Sequence, residues 1–289
     1  MNNKKYKLLN PISGLLKYIP RLILEAKYYR TFGRRLNLKS PTYLYDKALW
    51  LSLNTDTSEW SVLADKYEVR ERVAAICGDE ILTKLYGVWD NPMDIDFDKL
   101  PNSFILKTTN GCASNVVVSD KATADVEAIK KELSDWINIK YGAITGQPHY
   151  SRIKPRIIAE QLLIQDGDPN KPLIDYKFYC FDGYVHCCAV YTDRMRNSHQ
   201  FAITFYDMNW QPHPEYLEAG RYTPASVEKP VCFEQMKEIA SKLSRDHKYV
   251  RVDLYNIDGK PIFGELTFTP GLDHHTIEFQ KELGDLVKI

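Results

Sequence analysis

A chain of 289 residues with 44% hydrophobic and 26% charged side chains has a globular composition and length for a large core in two lobes; a disordered polymer is excluded. The formal net charge of zero hides an uneven distribution: residues 1–40 hold ten Lys or Arg (Lys4, Lys5, Lys7, Lys17, Arg21, Lys27, Arg30, Arg34, Arg35, Lys39) against the single acid Glu25, so the head is about +9 and the rest about −9. The six cysteines (Cys77, Cys112, Cys180, Cys187, Cys188, Cys232) form no C-x-x-C pair and no metal-ligand spacing, which points to reduced core residues of a cytoplasmic protein.

The basic head comes first along the chain. Ile12, Leu15, Leu16, Ile19, Leu22, Ile23 and Ala26 recur at helical spacing with Lys17, Arg21, Lys27 and Arg30 between them, interrupted at Pro20. The apolar run is too short and too charged to span a bilayer, and it lacks a signal-peptide cleavage pattern. Two readings stay open: a helix packed on the protein's own body, or a peripheral contact of residues 1–36 with the anionic inner face of the membrane. No second basic stripe with stacking aromatics accompanies it, so no nucleic-acid partner is expected.

The spacing then predicts a helix over residues 58–73, opened by Thr57 or Ser58 as cap and carrying Asp65, Lys66 and Arg70 on its polar side. Residues 94–101 read as a connecting loop. A strand at 104–107, the small polar run Thr108-Thr109-Asn110-Gly111-Cys112-Ala113-Ser114-Asn115 and a strand at 116–118 read as a hairpin with a flexible loop. A helix is expected within 121–139, a strand over 156–163, and two strands around the turn Asp182-Gly183 within 175–190. An amphipathic helix over 233–243 feeds a strand at 250–255, and a last strand begins at Phe263, beyond the turn Asp258-Gly259. The sum is an α+β protein of mainly antiparallel sheets, without the βαβ repeat of a Rossmann fold. Three regions are expected: a basic helical segment 1–56, a lobe 57–163 with a phosphate-binding loop, and a lobe 164–289 with metal-binding strands.

The chemistry concentrates in the last hairpin. On an alternating strand Asp253 shares a face with Arg251, and on its partner Glu265 shares one with Thr267. Two carboxylates brought together repel unless a cation sits between them, and hard oxygen ligands with room for water suit magnesium carrying a nucleotide's phosphates. A solvated hairpin with its acids in water is the alternative. In the loop 108–115, small residues such as Asn110, Gly111 and Ser114 let backbone N–H groups approach phosphate oxygens, with Lys107 at the edge as a point charge. The ordered combination of Lys66, Lys107 with its loop, Glu160, Lys177, then Arg251, Asp253, Glu265 and Thr267 places cations first and a metal-binding acid pair last.

In that order, and in the segments "ADKYEVR", "FILKTTNG", "IIAEQLL", "DYKFYCFDG", "TFYDMNW" and "VRVDLYNIDGKPIFGELTFTPG", the sequence resembles the ATP-grasp superfamily from Asp65 to Gly271, and within it the TupA-like group found among genes for bacterial surface polysaccharides. The last segment is similar to the metal-binding end of D-alanine–D-alanine ligases. The resemblance implies an ATP-grasp fold whose two lobes clasp ATP, and an ATP-dependent carboxylate–amine ligase working through an acyl phosphate. It implies that Asp253 and Glu265 hold magnesium, Glu265 bridging two ions, with Thr267 where the superfamily usually has Asn. Arg251 contacts the transferred phosphoryl group, while Lys66, Lys107 and Lys177 contact phosphates and Arg194 another anion. Glu160 faces the adenine amino group, the backbone at Leu162 and Leu163 completes adenine recognition, and Asp168, or alternatively Asp166, holds the ribose. Asp273, His274 and His275 are candidates for accepting the amine's proton or selecting the acceptor. The implied substrates are an amino acid or amine and a sugar acid or glycan. Glycosyl transfer, the alternative enzyme class, would need an Asp-x-Asp run after a Rossmann-like half, and neither appears; a non-catalytic ATP-grasp scaffold is the remaining alternative.

Overall fold

The computed structural model describes residues 4–168, 171–193, 201–219, 226–271 and 275–289. In chain order its helices and strands are α1 (Lys4–Leu9), α2 (Ser13–Leu16), α3 (Pro20–Phe32), α4 (Leu44–Asn54), α5 (Ser58–Ala64), α6 (Val69–Cys77), β1 (Leu85–Trp89), β2 (Phe104–Thr108), β3 (Asn115–Val118), α7 (Val126–Ile137), α8 (Tyr141–Thr145), β4 (Ile157–Glu160), β5 (Asp175–Phe181), β6 (Tyr184–Thr192), β7 (Ala202–Asp207), α9 (Phe233–Leu243), β8 (Val250–Ile257), β9 (Lys260–Thr267) and α10 (Ile277–Leu286). The chain divides into two compact units, residues 1–23, 57–71 and 83–163 in the first and 24–56, 72–82 and 164–289 in the second. Each unit is assembled from three stretches of the sequence.

The first unit is built on the antiparallel sheet β1-β4-β2-β3. Alternation along β2 turns Phe104, Leu106 and Thr108 into the core and leaves Ile105 and Lys107 half-buried on the other face. The core gathers Phe104, Leu106, Ile157 and Ala159 with Leu133 and Trp136 of α7. Asp125 starts α7 by accepting a hydrogen bond from Ala128 N at 3.0 Å, satisfying one of the orphan donors of the first turn. The helix expected over 58–73 is two helices. Asp65 lies in extended backbone, and its carboxylate accepts from Tyr67 N (2.8 Å) and Glu68 N (3.4 Å), a local bond that competes with the helical ladder. Lys66 is thereby lifted off the helix surface onto a connector.

The second unit carries the five-stranded antiparallel sheet β7-β6-β5-β8-β9. Two of its hairpin tips are Asp-Gly turns with both residues at positive φ, Asp182 and Gly183 (47° and 84°) and Asp258 and Gly259 (52° and 76°), the geometry whose twist matches that of paired strands. Helix α9 lies on the sheet face that carries Phe178, with Phe233 against it, while α10 packs on α4, where Gly284 allows Thr42 O to come within 2.1 Å of the place a Cβ would occupy. Among the described residues no helix is long and apolar enough to cross a membrane.

Candidate active site

In the first unit, Lys107, expected to meet phosphate, is paired with the carboxylate of Glu160. Glu160 ends β4 opposite Ile105, which puts its side chain diagonally beside Lys107 on the same face of the sheet. It is buried, and both oxygens are engaged: Oε2 accepts from Lys107 Nζ at 2.8 Å, and Oε1 from Arg70 Nη1 and Thr83 Oγ1, each at 2.7 Å. Burial alone would push this carboxyl up, but the Lys107 ammonium, the Thr83 hydroxyl and the Arg70 guanidinium hold it below its ordinary value, so it is ionised. In this arrangement Glu160 therefore organises cations. Arg70 and Thr83, which sequence reasoning did not place at the site, complete it; Arg70 sits four residues beyond Lys66, yet its partner is 90 residues away, so no local pattern marks it.

The loop after β2 is held from below. Lys66 Nζ donates to Gly111 O at 2.5 Å, tying the connector to the loop. Asn110 is buried and donates to Ile137 O and Ile139 O at the end of α7 (3.3 and 3.2 Å), while its Oδ1 has no hydrogen-bond partner. Ser114 is buried too, its hydroxyl 2.5 Å from that of Thr108. A Cβ at Gly111 would meet the Tyr141 ring at 3.2 Å, which is why the closely packed loop takes glycine there. Asn110 and Ser114 thus shape the loop, and Ala113, exposed and at φ 57°, stands at its tip. Leu162 and Leu163 follow β4 outside any strand and are half-buried.

In the second unit, register brings the other candidates together. Lys177, Asp253 and Glu265 face one another across β5, β8 and β9, and Tyr179, Arg251 and Thr267 form the next row. Asp253 is buried; Arg251 Nε reaches Oδ1 at 2.7 Å, and Oδ2 takes Arg251 Nη2 at 2.7 Å and Lys177 Nζ at 2.5 Å. Desolvation pushes the Asp253 carboxyl up, but Arg251 first and Lys177 second pull it below the ordinary range. Asp175 lies 3.5 Å from Lys177. Thr267 Oγ1 donates to Glu265 Oε1 at 3.2 Å, with Arg251 Nη2 3.5 Å from the same oxygen. The Glu265 side chain is 42% exposed, so its carboxylate is open to solvent while Asp253 is not.

A divalent cation fits this donor set. The patch offers two carboxylates and a hydroxyl, all hard oxygens, one of them reachable from solvent, and magnesium characteristically takes one or two carboxylates and completes its sphere with water and phosphate. Asp253 and Glu265 would hold it, with Thr267 Oγ1 beside Glu265.

The remaining candidates lie elsewhere. Asp166 pairs with Lys171, whose hydrogen bond lowers its carboxyl, on a turn where Asp166 takes φ 50°; Asp168 bridges back to Gln165 on the same exposed turn. Arg194, Asp273 and His274 lie outside the described residues. His275 is not a surface residue. It is 2% exposed, its Nδ1 lies 2.8 Å from Tyr45 Oη and its Nε2 3.0 Å from Tyr179 Oη, within a cluster that includes Phe205 and Phe279. Both ring nitrogens are engaged inside the core, which removes it from the acceptor-selecting role.

Comparison with solved structures finds a D-alanine–D-alanine ligase from Bacillus anthracis complexed with ATP, 13% identical, with 83% of this chain and 72% of that one covered and a TM-score of 0.48. It also finds an L-amino acid ligase from Bacillus licheniformis (15%, 87% and 55% covered, TM-score 0.49) and the ATP-grasp ligase PsnB with its minimal precursor (12%, 77% and 59% covered, TM-score 0.39). The chain thus spans little more than half the length of the last two. No curated protein sequence matches. The profile of the TupA-like ATPgrasp family matches residues 46–288, which takes in both sheets and every site residue described above, and the chain accordingly belongs to this family.

Proposed function

We propose that this chain joins a carboxylate to an amine using ATP and magnesium, the carboxylate or amine belonging to an amino acid and its counterpart to a sugar acid or glycan of a bacterial surface polysaccharide, at the cytoplasmic side of the membrane. The observation that carries the reading is the row Lys177–Asp253–Glu265 beside Arg251 and Thr267, since it presents cations and metal-type oxygens on one sheet face within hydrogen-bond distance of each other. On this reading a carboxylate oxygen attacks the γ-phosphorus, the bond to the β-phosphate oxygen breaks and ADP leaves. The amine nitrogen then attacks the acyl carbon, phosphate departs with the bonding pair, and the nitrogen gives up a proton. No general base is needed for the first step, because the nucleophile is already an anion. Lys177 and Arg251 neutralise charge on the transferring phosphoryl group, and Lys66, Lys107 and the loop 108–115 hold phosphate oxygens and exclude water from the acyl phosphate. Magnesium, when bound, supplies charge neutralisation at the phosphates. Lys177 and Arg251 already hold Asp253, so phosphate oxygens take over bonds these cations now give to a carboxylate.

Thermal shift with Mg-ATP, ATP with EDTA, Mg-GTP and nucleotide sugars tests the nucleotide half. A ligand at about 100 times its Kd adds roughly 2.7 kcal/mol of stability. Magnesium-dependent stabilisation by ATP, followed by ADP release on addition of the right acid and amine, is expected. Stabilisation by a nucleotide sugar alone would overturn the ligase reading.

A further inference from the structure

The start of the head, up to residue 23, packs on the first unit with one side only. Tyr6, Leu9 and Leu16 lie against the core that contains Trp136, Ile139 and Tyr141, the Tyr6 and Tyr141 rings meeting edge-on at 5.3 Å. Asn10 fixes the segment by donating to Asn138 O (3.0 Å) and accepting from Lys140 N (2.9 Å), and Lys7 pairs with Asp135 at 2.6 Å. The other side is apolar and open. Leu8 is 80% exposed, Ile12 51%, Leu15 68%, Tyr18 73% and Leu22 58%, spaced four, three, three and four residues apart across α1, the 3-10 turn after it, α2, the turn at 17–18 and the start of α3. Exposed leucines scattered singly need no explanation, but five large exposed apolar side chains gathered in one short segment, beside neighbours that are packed, do.

Charge decides the occupant. Residues 1–23 contain Lys4, Lys5, Lys7, Lys17 and Arg21 and no Asp or Glu, so these apolar side chains lie in a purely cationic segment. Lys17 reaches over the Tyr18 ring, its ammonium 4.8 Å from the centroid, so a cation and an aromatic ring sit side by side on the open face. A protein partner would bring mixed charge. A surface that is apolar in the middle and uniformly negative around it is the headgroup–acyl boundary of an anionic bilayer, where leucines enter the acyl region, tyrosine sits at headgroup level and Lys or Arg stems extend to the phosphates. We infer that residues 4–22 dock the protein on an anionic lipid surface through Leu8, Ile12, Leu15, Tyr18 and Leu22. The inference goes beyond the ligase reading and does not depend on it, since docking requires no nucleotide. It would bring the unit that holds the phosphate loop to a membrane-borne acceptor.

The test is sedimentation of the full chain with phosphatidylcholine vesicles and with phosphatidylcholine vesicles containing phosphatidylglycerol. Co-sedimentation with the anionic vesicles and not the neutral ones is expected, weakened by salt. The double variant Leu8→Glu/Leu15→Glu should lower the bound fraction roughly tenfold or more, and Lys17→Glu/Arg21→Glu should lower it comparably. These side chains are exposed, so the melting temperature should stay put and loss of binding cannot be ascribed to unfolding. A wild-type chain that stays in the supernatant, equal binding to neutral vesicles, or unchanged binding of the Leu8→Glu/Leu15→Glu variant would each overturn the proposal. A stable dimer in light scattering that this variant dissolves, without vesicle binding, would give these side chains to a second copy of the chain instead.

Discussion

Each unit centres its candidate site on a buried carboxylate held by two cations, Glu160 by Lys107 and Arg70 and Asp253 by Arg251 and Lys177, yet the two sites have opposite remaining appetite. Around Glu160 two cations face one carboxylate, both of whose oxygens are taken, and Lys66 adds a further cation on the loop's backbone at Gly111 O. Around Asp253 two cations face three carboxylates, counting Asp175 and Glu265, and Glu265 remains open to solvent. The first site has spare positive charge and suits phosphate. The second has spare hard oxygen and suits a divalent cation. On the proposed reading the same buried ion-pair device would serve two ligands, according to how many acids the neighbouring strands contribute.

The sharpest way to break this comparison is to neutralise the two kinds of acid separately. Glu160→Gln leaves Lys107 and Arg70 facing each other without their counter-charge in a buried site, and should destabilise the chain by about 3–5 kcal/mol in urea unfolding. Glu265→Gln, on the open side, should change stability by no more than about 1 kcal/mol and still lower ATP-dependent turnover roughly a hundredfold or more. If Glu265→Gln turns over normally, the metal assignment fails.

Acid titration should separate the units as well. His149 of the first unit is buried against Trp60 and Tyr150; burial, helped by Arg152, pushes its imidazole down to about 3, and its Nδ1 has no hydrogen-bond partner. The folded state therefore favours the neutral ring, the unfolded chain takes up the proton first, and stability falls as pH drops below about 6.5. The loss should reach about 2 kcal/mol by roughly pH 5, and His149→Phe should flatten that slope. Asp253 behaves differently. Its folded pKa lies below the ordinary carboxylate value, so its contribution is fully present above about pH 4 and is lost only below that. Hydrogen exchange at pH 5 should show the first unit loosening before the second.

The smallest effect sharpens the phosphate side. Lys66→Ala removes a single cation and its tie to Gly111 O, and should weaken Mg-ATP binding by about tenfold with little change in binding of magnesium alone. A variant that binds ATP as tightly as the wild type would leave Lys66 as a loop tether only.

Much of this was legible in the chain because it depends on near neighbours. Within each strand of the hairpin Val250–Thr267 alternation puts Arg251 with Asp253 and Glu265 with Thr267, and the Asp-Gly turn joins the strands, but a register shift between Asp253 and Leu254 is what sets Glu265 opposite Asp253 on one face. The amphipathic helix over 233–243 was legible for the same reason. Other features were not. Strand β1 is half-buried along its whole length and shows no alternation, and the break between α5 and α6 depends on one Asp65 carboxylate bonding back to its own backbone.

Sequence alone determined the residue types, their order and the faces within each element: a cationic head, a small-residue loop after a strand, and an acid on each strand of a hairpin, the faces set by periods of two or about 3.6 residues that the chain carries within itself. Only the tertiary structure decided partners at long range. It gave Glu160 to Arg70 and Lys107, across 90 and 53 residues, set Lys177 against Asp253 across 76, sank His275 between Tyr45 and Tyr179, and turned five apolar side chains of the head outward. A charge's partner is set by which strands and helices meet in space, and that meeting is governed by burial of the whole core, not by any spacing written along the chain.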